Sequence, residues 1–128
     1  MIASLDHLVL TVRDLDATVK FYTALGMEYR ELSHGRRALH FGRQKINLHN
    51  LGKEFEPKAS LAMPGTADLC FLVEEGLAIE AVAKKLADLG VNLLLGPVQR
   101  EGAQGPMMSI YCRDPDGNLV ELSQPLQE

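Results

Sequence analysis

One structural unit occurs twice along the chain, and this repeat strongly limits the folds available to it. The segment DHLVLTV, which begins at Asp6, aligns with ADLCFLV, which begins at Ala67; ALGMEYREL aligns with DLGVNLLLG, and INLHN with NLVEL. In each copy a strand pattern is followed by a helical pattern and then by three extended stretches. The repeat therefore predicts an α+β fold built from two tandem βαβββ modules.

Both predicted helices show sequence signals at their ends. Asp14 precedes LDATVKFYTALG and can accept a hydrogen bond from a free amide of the first turn, while Gly26 suits the left-handed residue that often ends a helix. Gly90 stands at the same place after LAIEAVAKKLADL. Apolar residues recur at helical spacing in both segments, at Leu15, Val19, Tyr22 and Leu25 in the first and at Leu77, Val82, Leu86 and Leu89 in the second.

The length of the chain predicts a single domain. A chain of 128 residues with 46% hydrophobic content is enough for one compact core and too short for two independent ones. The stretch LGKEFEPKASLAMPGT, residues 51–66, contains two prolines and two glycines and no sustained periodicity. We interpret it as a linker between a first module at about residues 1–50 and a second at about residues 67–128.

Side chains of metal-ligand type lie in apolar strands of both modules. Burying an isolated ionisable group is costly, and metal coordination is one of the few arrangements that removes the cost. Superposing the two copies pairs His7 with Asp68 and His49 with Glu121. These paired positions predict one metal site formed by His7, His49 and Glu121. Asp68 either binds the metal, orients a bound water or does neither.

The first strand has two different faces. Alternate residues of a strand point to opposite sides, so His7 shares a face with Val9, while Leu8, Leu10 and Val12 form an apolar face. We expect curved mixed sheets whose helices cover the apolar faces on the outside. The ligand-bearing faces would then surround a metal-binding cleft.

Composition argues against two classes of partner. The net charge is −4, and the aromatic residues are three Tyr and four Phe with no Trp, so nucleic-acid binding has little support. No apolar run approaches the 18 or more residues of a membrane span, and MIASLDH lacks the features of a signal peptide. We expect a cytoplasmic protein that acts on a small molecule without contacting a membrane.

Several other residues have ordinary structural interpretations. Cys70 and Cys112 lie in strand-like runs without CxxC spacing, so we expect two buried free thiols. His34 is predicted in a turn and His40 in a strand. GAQGP, residues 102–106, is either a flexible loop that acts as a lid or an ordinary turn. Four basic residues near the cleft strands either hold an anionic substrate or are solvated; they are Arg36, Arg37, Arg43 and Lys45.

The opening segments DHLVLTV and RDLDATVKFYTALGM and the closing segment DPDGNLVEL resemble the vicinal oxygen chelate superfamily, and the match covers nearly the whole chain. That superfamily contains glyoxalase I, extradiol dioxygenases, fosfomycin-resistance transferases and bleomycin-resistance proteins. More narrowly, FGRQKINLH, GKEFEPKA, DLCF and GAQGPMMSIYCRDPDGNLVE resemble glyoxalase domain-containing protein 5 and its bacterial relatives.

The resemblance implies roles for the ligand-type residues. His7 resembles the first-strand metal ligand of the superfamily and Glu121 the last-strand carboxylate. His49 resembles the ligand that ends the first module, where glyoxalase I has Glu, and Asp68 stands where the superfamily commonly has His. Two imidazoles and one or two carboxylates suit a divalent ion such as Zn, Ni, Fe, Mn or Co. The resemblance further implies a substrate that chelates this ion through two neighbouring oxygens, and a catalytic role for Glu121 and Asp68.

Three functions remain open at this point. The first is a glyoxalase-like, metal-dependent enzyme, and the second is an extradiol-type dioxygenase. The third is a metal-free protein that sequesters a ligand, as bleomycin-resistance proteins do; the predicted metal ligands favour the enzymes. Relatives of this size usually bury their remaining apolar surface in a symmetric dimer, so we also expect a homodimer.

Overall fold

The computed structural model of the protein describes residues 1–126, and its elements follow the order that the repeat predicts. The first module contains β1 (His7–Val12), α1 (Leu15–Ala24), β2 (Glu28–Glu31), β3 (Arg37–Phe41) and β4 (Gln44–Asn50). The second contains β5 (Asp68–Leu72), α2 (Ile79–Asp88), β6 (Leu95–Gly102), β7 (Gly105–Arg113) and β8 (Leu119–Pro125). Within residues 1–126, neither helix is long and apolar enough to cross a membrane.

The two sheets have the same topology. Each has four strands, in the order β1-β4-β3-β2 and β5-β8-β7-β6. The first and last strands of each module pair in parallel, and the other pairs are antiparallel. The predicted α+β fold of two tandem βαβββ modules with mixed sheets is therefore confirmed.

The contacts between residues divide the chain into two compact units, and the boundaries of these units differ from those of the two modules. The first unit contains Met1–Ala67 and also Pro115–Gly117, the turn before β8; the second contains Asp68–Asp114 and the chain from Asn118 onward. Within the first unit, the Asp116 carboxylate accepts hydrogen bonds from the Arg13 backbone N–H at 3.1 Å and from its guanidinium at 3.4 Å. A turn from the second module is thus part of the first unit.

The core of the first unit lies between α1 and its sheet. The helix contacts β2 and β3. Asp14 is the N-cap, as predicted, and its side chain accepts a hydrogen bond from the Ala17 amide at 3.1 Å. The buried face of the helix differs from the predicted one: Thr18, which was not among the predicted apolar positions, is fully buried together with Tyr22. On the sheet, the buried apolar residues include Leu10, Val12, Leu39, Ile46 and Leu48.

The core of the second unit lies between α2 and the strands β7 and β8. Ile79, Val82 and Leu86 are the buried residues of this helix. Leu77 and Leu89 were predicted on the same side and are instead exposed, at 38% and 46%. The reason is that the helix begins at Ile79 and ends at Asp88, so both leucines lie outside its regular turns.

The start of α2 is capped by a residue from a distant strand. The residue before the helix, Ala78, has no side chain that can accept a hydrogen bond, and none is made. Instead the Ile79 amide donates to the Gln124 side-chain carbonyl on β8 at 2.9 Å. This bond satisfies one of the free amides of the first helical turn and connects the helix to the sheet.

The segment GAQGP forms a tight hairpin. Gly102 at the end of β6 pairs with Gly105 at the start of β7, and only Ala103 and Gln104 lie in the turn. The segment is therefore a turn between paired strands, and its action as a lid stays a prediction. The pairing of β6 with β7 continues up to this turn. The sequence does not indicate it, because glycine and proline are uncommon in strands.

Candidate metal and substrate site

Strand register corrects one position in the repeat alignment. In the first sheet His7 is paired with Lys45, and in the second Asp68 is paired with Leu119. Two residues further along the last strand of each module, β4 and β8, stand Asn47 and Glu121, so Asn47 is the counterpart of Glu121. The predicted equivalence of His49 with Glu121 is wrong, because a shift of two residues keeps every side chain on its face and so leaves no trace in the alternating pattern.

His7 is exposed on the first unit and is held by its neighbour. Its Nδ1 lies 2.8 Å from the Asp6 carboxylate, whose pKa is lowered chiefly by this hydrogen bond. Metal-binding histidines commonly bond a carboxylate through the nitrogen that does not face the metal. The Asp6 contact therefore leaves Nε2 as the nitrogen of His7 that suits a metal ion.

Two other polar side chains on the same face of this sheet carry atoms without a partner. Among residues 1–126, Asn47 Oδ1 and His49 Nδ1 are both buried and form no hydrogen bond. The His49 ring contacts Phe55 edge to face at 5.7 Å, and the Arg36 guanidinium lies 4.6 Å from the centre of the Phe55 ring. Buried polar atoms are nearly always satisfied, so both atoms fit a ligand or an ion as partner.

In the second unit, Glu121 lies in a chain of hydrogen bonds. The Ser123 hydroxyl donates to Glu121 Oε2 at 3.3 Å and lies 2.7 Å from the Ser109 hydroxyl. The Cys70 Sγ lies 3.3 Å from the same Ser123 oxygen. Burial is the main cause that raises the pKa of the Cys70 thiol, and the nearby carboxylates of Glu121 and Asp68 add to it.

A pocket of about 480 Å³ opens beside Glu121 in the second unit. Polar groups on its walls include Cys70, Arg100 and Glu121, and apolar groups include Leu72, Met107 and Leu126. The pocket thus has the mixed character of a small-molecule site, apolar walls with a few polar groups.

Arg100 is held in place at this pocket. Its Nε donates to the Tyr111 hydroxyl at 3.0 Å and its Nη1 to the Gln99 carbonyl at 3.1 Å. Its guanidinium carbon lies 5.6 Å from the centre of the Tyr111 ring. Within the described chain no carboxylate forms an ion pair with it. The arrangement suits the binding of an anionic group.

The other sequence predictions have mixed outcomes. His34 lies in a 3-10 turn and His40 in β3, as predicted. Cys112 is a buried free thiol, as predicted, but the prediction for Cys70 is wrong, because this thiol is free and exposed. Asp68 is exposed at the start of β5.

Of the predicted metal ligands, His7 and His49 belong to the first unit and Glu121 to the second. Among residues 1–126, no three His, Cys, Asp or Glu side chains lie close enough together to hold an ion. His49 pairs with Thr11 and not with His7, four residues along β1. That offset corresponds to about 13 Å along a strand. One site formed by His7, His49 and Glu121 therefore stays a prediction.

Sequence reasoning missed several residues near the predicted ligands. Asp6 is adjacent to His7, and Ser109 and Ser123 are polar residues inside otherwise apolar strand patterns, so both signals were available. Arg100 had no such signal, because its place beside the pocket depends on the hairpin formed by β6 and β7.

The chain is similar to known proteins along nearly its full length. The model of the Glyoxalase/Bleomycin resistance protein/Dioxygenase superfamily matches residues 4–122. Glyoxalase domain-containing protein RDO1 of Mycosarcoma maydis is 54% identical over 122 residues, 95% of this chain and 68% of that protein. Virulence protein STM3117 of Salmonella typhimurium is 50% identical over 125 residues, 97% of this chain and 85% of that protein. Its crystal structure superposes with a TM-score of 0.94, covering 98% of this chain and 99% of that one. The metallothiol transferase FosB of Bacillus licheniformis is 30% identical over 121 residues, 94% of this chain and 75% of that protein.

Proposed function

Because the chain belongs to the Glyoxalase/Bleomycin resistance protein/Dioxygenase superfamily, we propose that it is a metal-dependent enzyme of the vicinal oxygen chelate type. Its substrate is a small molecule that binds a divalent ion through two neighbouring oxygens. One observation carries the proposal: in each module a ligand-type side chain on a strand is held by a second polar group. His7 is held by Asp6, and Glu121 by Ser123.

The residues present fit a divalent ion chemically. Imidazole nitrogen, carboxylate oxygen and amide oxygen are all ligands for Mn, Fe, Co, Ni or Zn. We assign His7 Nε2 and Glu121 Oε1 as donors, since Asp6 and Ser123 engage the other atoms of these groups. The third donor comes from β4, and it is His49 by the sequence or Asn47 by the strand register. A bound ion would act as a Lewis acid that stabilises negative charge on a substrate oxygen.

The protein's own groups supply the remaining roles. The apolar walls of the pocket, including Leu72, Met107 and Leu126, exclude water from one side of a bound substrate. Arg100 binds an anionic group of the substrate, because it is preoriented and has no carboxylate partner within residues 1–126. Glu121 and Asp68 are the proposed groups that take or return a proton. The name metallothiol transferase, borne by the relative FosB, supports metal use in the family.

Metal content tests the proposal directly. Protein purified without chelator and then incubated with Mn²⁺, Co²⁺, Ni²⁺ or Zn²⁺ is expected to retain a stoichiometric ion, measured by elemental analysis after desalting. His7→Ala and Glu121→Gln are expected to lower metal affinity by about tenfold or more. The first variant removes a donor nitrogen, and the second removes the negative charge of a donor carboxylate. Asn47→Ala and His49→Ala form a matched pair that identifies the third donor. Wild-type protein that retains no ion would refute the proposal.

The charge of the substrate is a separate expectation. Oxalate is a suitable probe, because it carries negative charge and two neighbouring oxygens. We expect Mn²⁺-loaded protein to bind oxalate and Arg100→Gln to bind it roughly tenfold more weakly, since a hydrogen bond to a charged group is lost. Isothermal titration calorimetry measures both affinities. Equal oxalate affinities in the two proteins would show that Arg100 does not bind the substrate, and the metal proposal would still stand.

A metal-free binding protein is the second candidate function. The apolar part of the pocket wall favours it, because such a surface can hold a ligand without metal. This candidate predicts ligand binding that is unchanged by EDTA.

A further inference from the structure

We infer that Ser123 is a positioning residue whose buried hydroxyl fixes the orientation of the Glu121 carboxylate for metal binding. The inference rests on the proposed function, because it takes Glu121 as a metal ligand. It adds a residue that does not itself touch the ion.

The Ser123 hydroxyl lies where three strands meet. Ser123 on β8 stands opposite Ser109 on β7, and both side chains are 0% exposed. On the other side of β8, Cys70 on β5 is paired with Glu121. The Ser123 oxygen is 2.7 Å from Ser109 Oγ, 3.3 Å from Cys70 Sγ and 3.3 Å from Glu121 Oε2. One atom therefore connects all three neighbours.

Counting protons gives an assignment that is consistent with all three contacts of Ser123; the Cys70 thiol also lies within hydrogen-bonding reach of Glu121. A serine hydroxyl has one proton to donate and two lone pairs that accept. An ionised carboxylate only accepts, so the Ser123 proton goes to Glu121. The Ser109 O–H and the Cys70 S–H can then donate to the two lone pairs of Ser123. In this assignment every bonding position of the Ser123 hydroxyl is used, and rotating it away from Glu121 would lose a hydrogen bond.

The two buried serines do not need the contact with Glu121 to have a hydrogen-bond partner. Ser109 and Ser123 face each other at 2.7 Å and already provide a hydrogen-bond partner for one another. Glu121 is only partly buried and lies on the pocket wall, where water can solvate it. A fixed donor at Oε2 restricts the carboxylate and leaves Oε1 for the ion. Groups that orient a metal ligand in this way typically contribute a factor of about 10 to 100 in metal affinity.

Two serine variants separate positioning from general loosening. Ser123→Ala removes the donor to Glu121, whereas Ser109→Ala removes an equally buried hydroxyl and leaves that donor in place. We expect Ser123→Ala to weaken Co²⁺ binding by about tenfold or more, measured by chelator competition, and to shift the visible absorption bands of bound Co²⁺. Ser109→Ala should have a much smaller effect on both readings. Urea unfolding of both variants checks that they lose similar stability.

The possible outcomes are distinct. If wild type binds Co²⁺ and Ser123→Ala binds it with the same affinity and spectrum, the inference is wrong while the proposed function stands. Equal losses in both variants would also overturn it, because a buried hydroxyl would then matter only for packing. If wild type binds none of Mn²⁺, Co²⁺, Ni²⁺ and Zn²⁺, the proposed function fails, and the inference fails with it. Should Ser123→Ala not fold, Ser123→Cys replaces it: a thiol is a weaker donor, so an intermediate loss supports the inference and no loss contradicts it.

Discussion

At the residue scale, the two cysteines differ in their surroundings although both lie in apolar strands. Cys70 is exposed beside the pocket, whereas Cys112 is 0% exposed in the core of the second unit. Burial, with a smaller contribution from Asp114, raises the pKa of the Cys112 thiol from 9.0 to about 11. The thiolate is the reactive form, so Cys112 is doubly protected at neutral pH, by access and by protonation.

This difference predicts selective alkylation. At pH 8 iodoacetamide is expected to modify Cys70 in the folded protein, slowly because the pKa of this thiol is also raised, and to leave Cys112 unmodified, because Cys112 is buried and its pKa is about 11. In urea both should react, since unfolding restores access and the ordinary pKa. Mass spectrometry of tryptic peptides measures both sites, and Cys70→Ser is the control. Modification of Cys112 at a rate similar to Cys70 in the folded state would contradict the prediction.

At the element scale, α2 depends on a hydrogen bond from outside the helix. The Gln124 side chain accepts from the Ile79 amide at 2.9 Å, across a separation of 45 residues. Helix-capping bonds of this kind contribute about 0.5–2 kcal/mol. We expect Gln124→Ala to lower the free energy of unfolding by about 1 kcal/mol, measured by urea denaturation. Gln124→Glu keeps the acceptor and places negative charge near the helix N-terminus, so it should lose less. Equal losses in the two variants would argue against capping.

The sequence predicted the elements well and their lateral alignment poorly, for a physical reason. Periodicity and turn residues depend on neighbours a few positions away, so the βαβββ order and the Asp14 cap could be read directly. That Asn47, and not His49, is the counterpart of Glu121 follows from the hydrogen bonds between strands. A shift of two residues leaves the pattern of faces unchanged, so the sequence does not reveal it. The Gln124 cap was hidden likewise, because its partner is remote in sequence.

At the scale of the whole molecule, the sheets expose apolar side chains on the faces opposite their helices. Val9 on β1 is 45% exposed and Leu72 on β5 is 57% exposed. Apolar surface exposed on a sheet face can mark a binding site or an interface. We therefore propose that the protein is a homodimer. Light scattering is expected to give twice the mass of one chain at micromolar concentrations, and a monomer mass that does not change with concentration would contradict the proposal.

The turn at Pro115–Gly117 has a consequence for how the chain can be divided. The sequence repeats in two consecutive halves, yet the first compact unit includes this turn from the second half, with Asp116 accepting from Arg13. A gene fragment ending at residue 67 would encode every strand of the first sheet and still lack that carboxylate. The repeated segment and the compact unit therefore have different boundaries, and the first half of the chain alone lacks a turn that belongs to its compact unit.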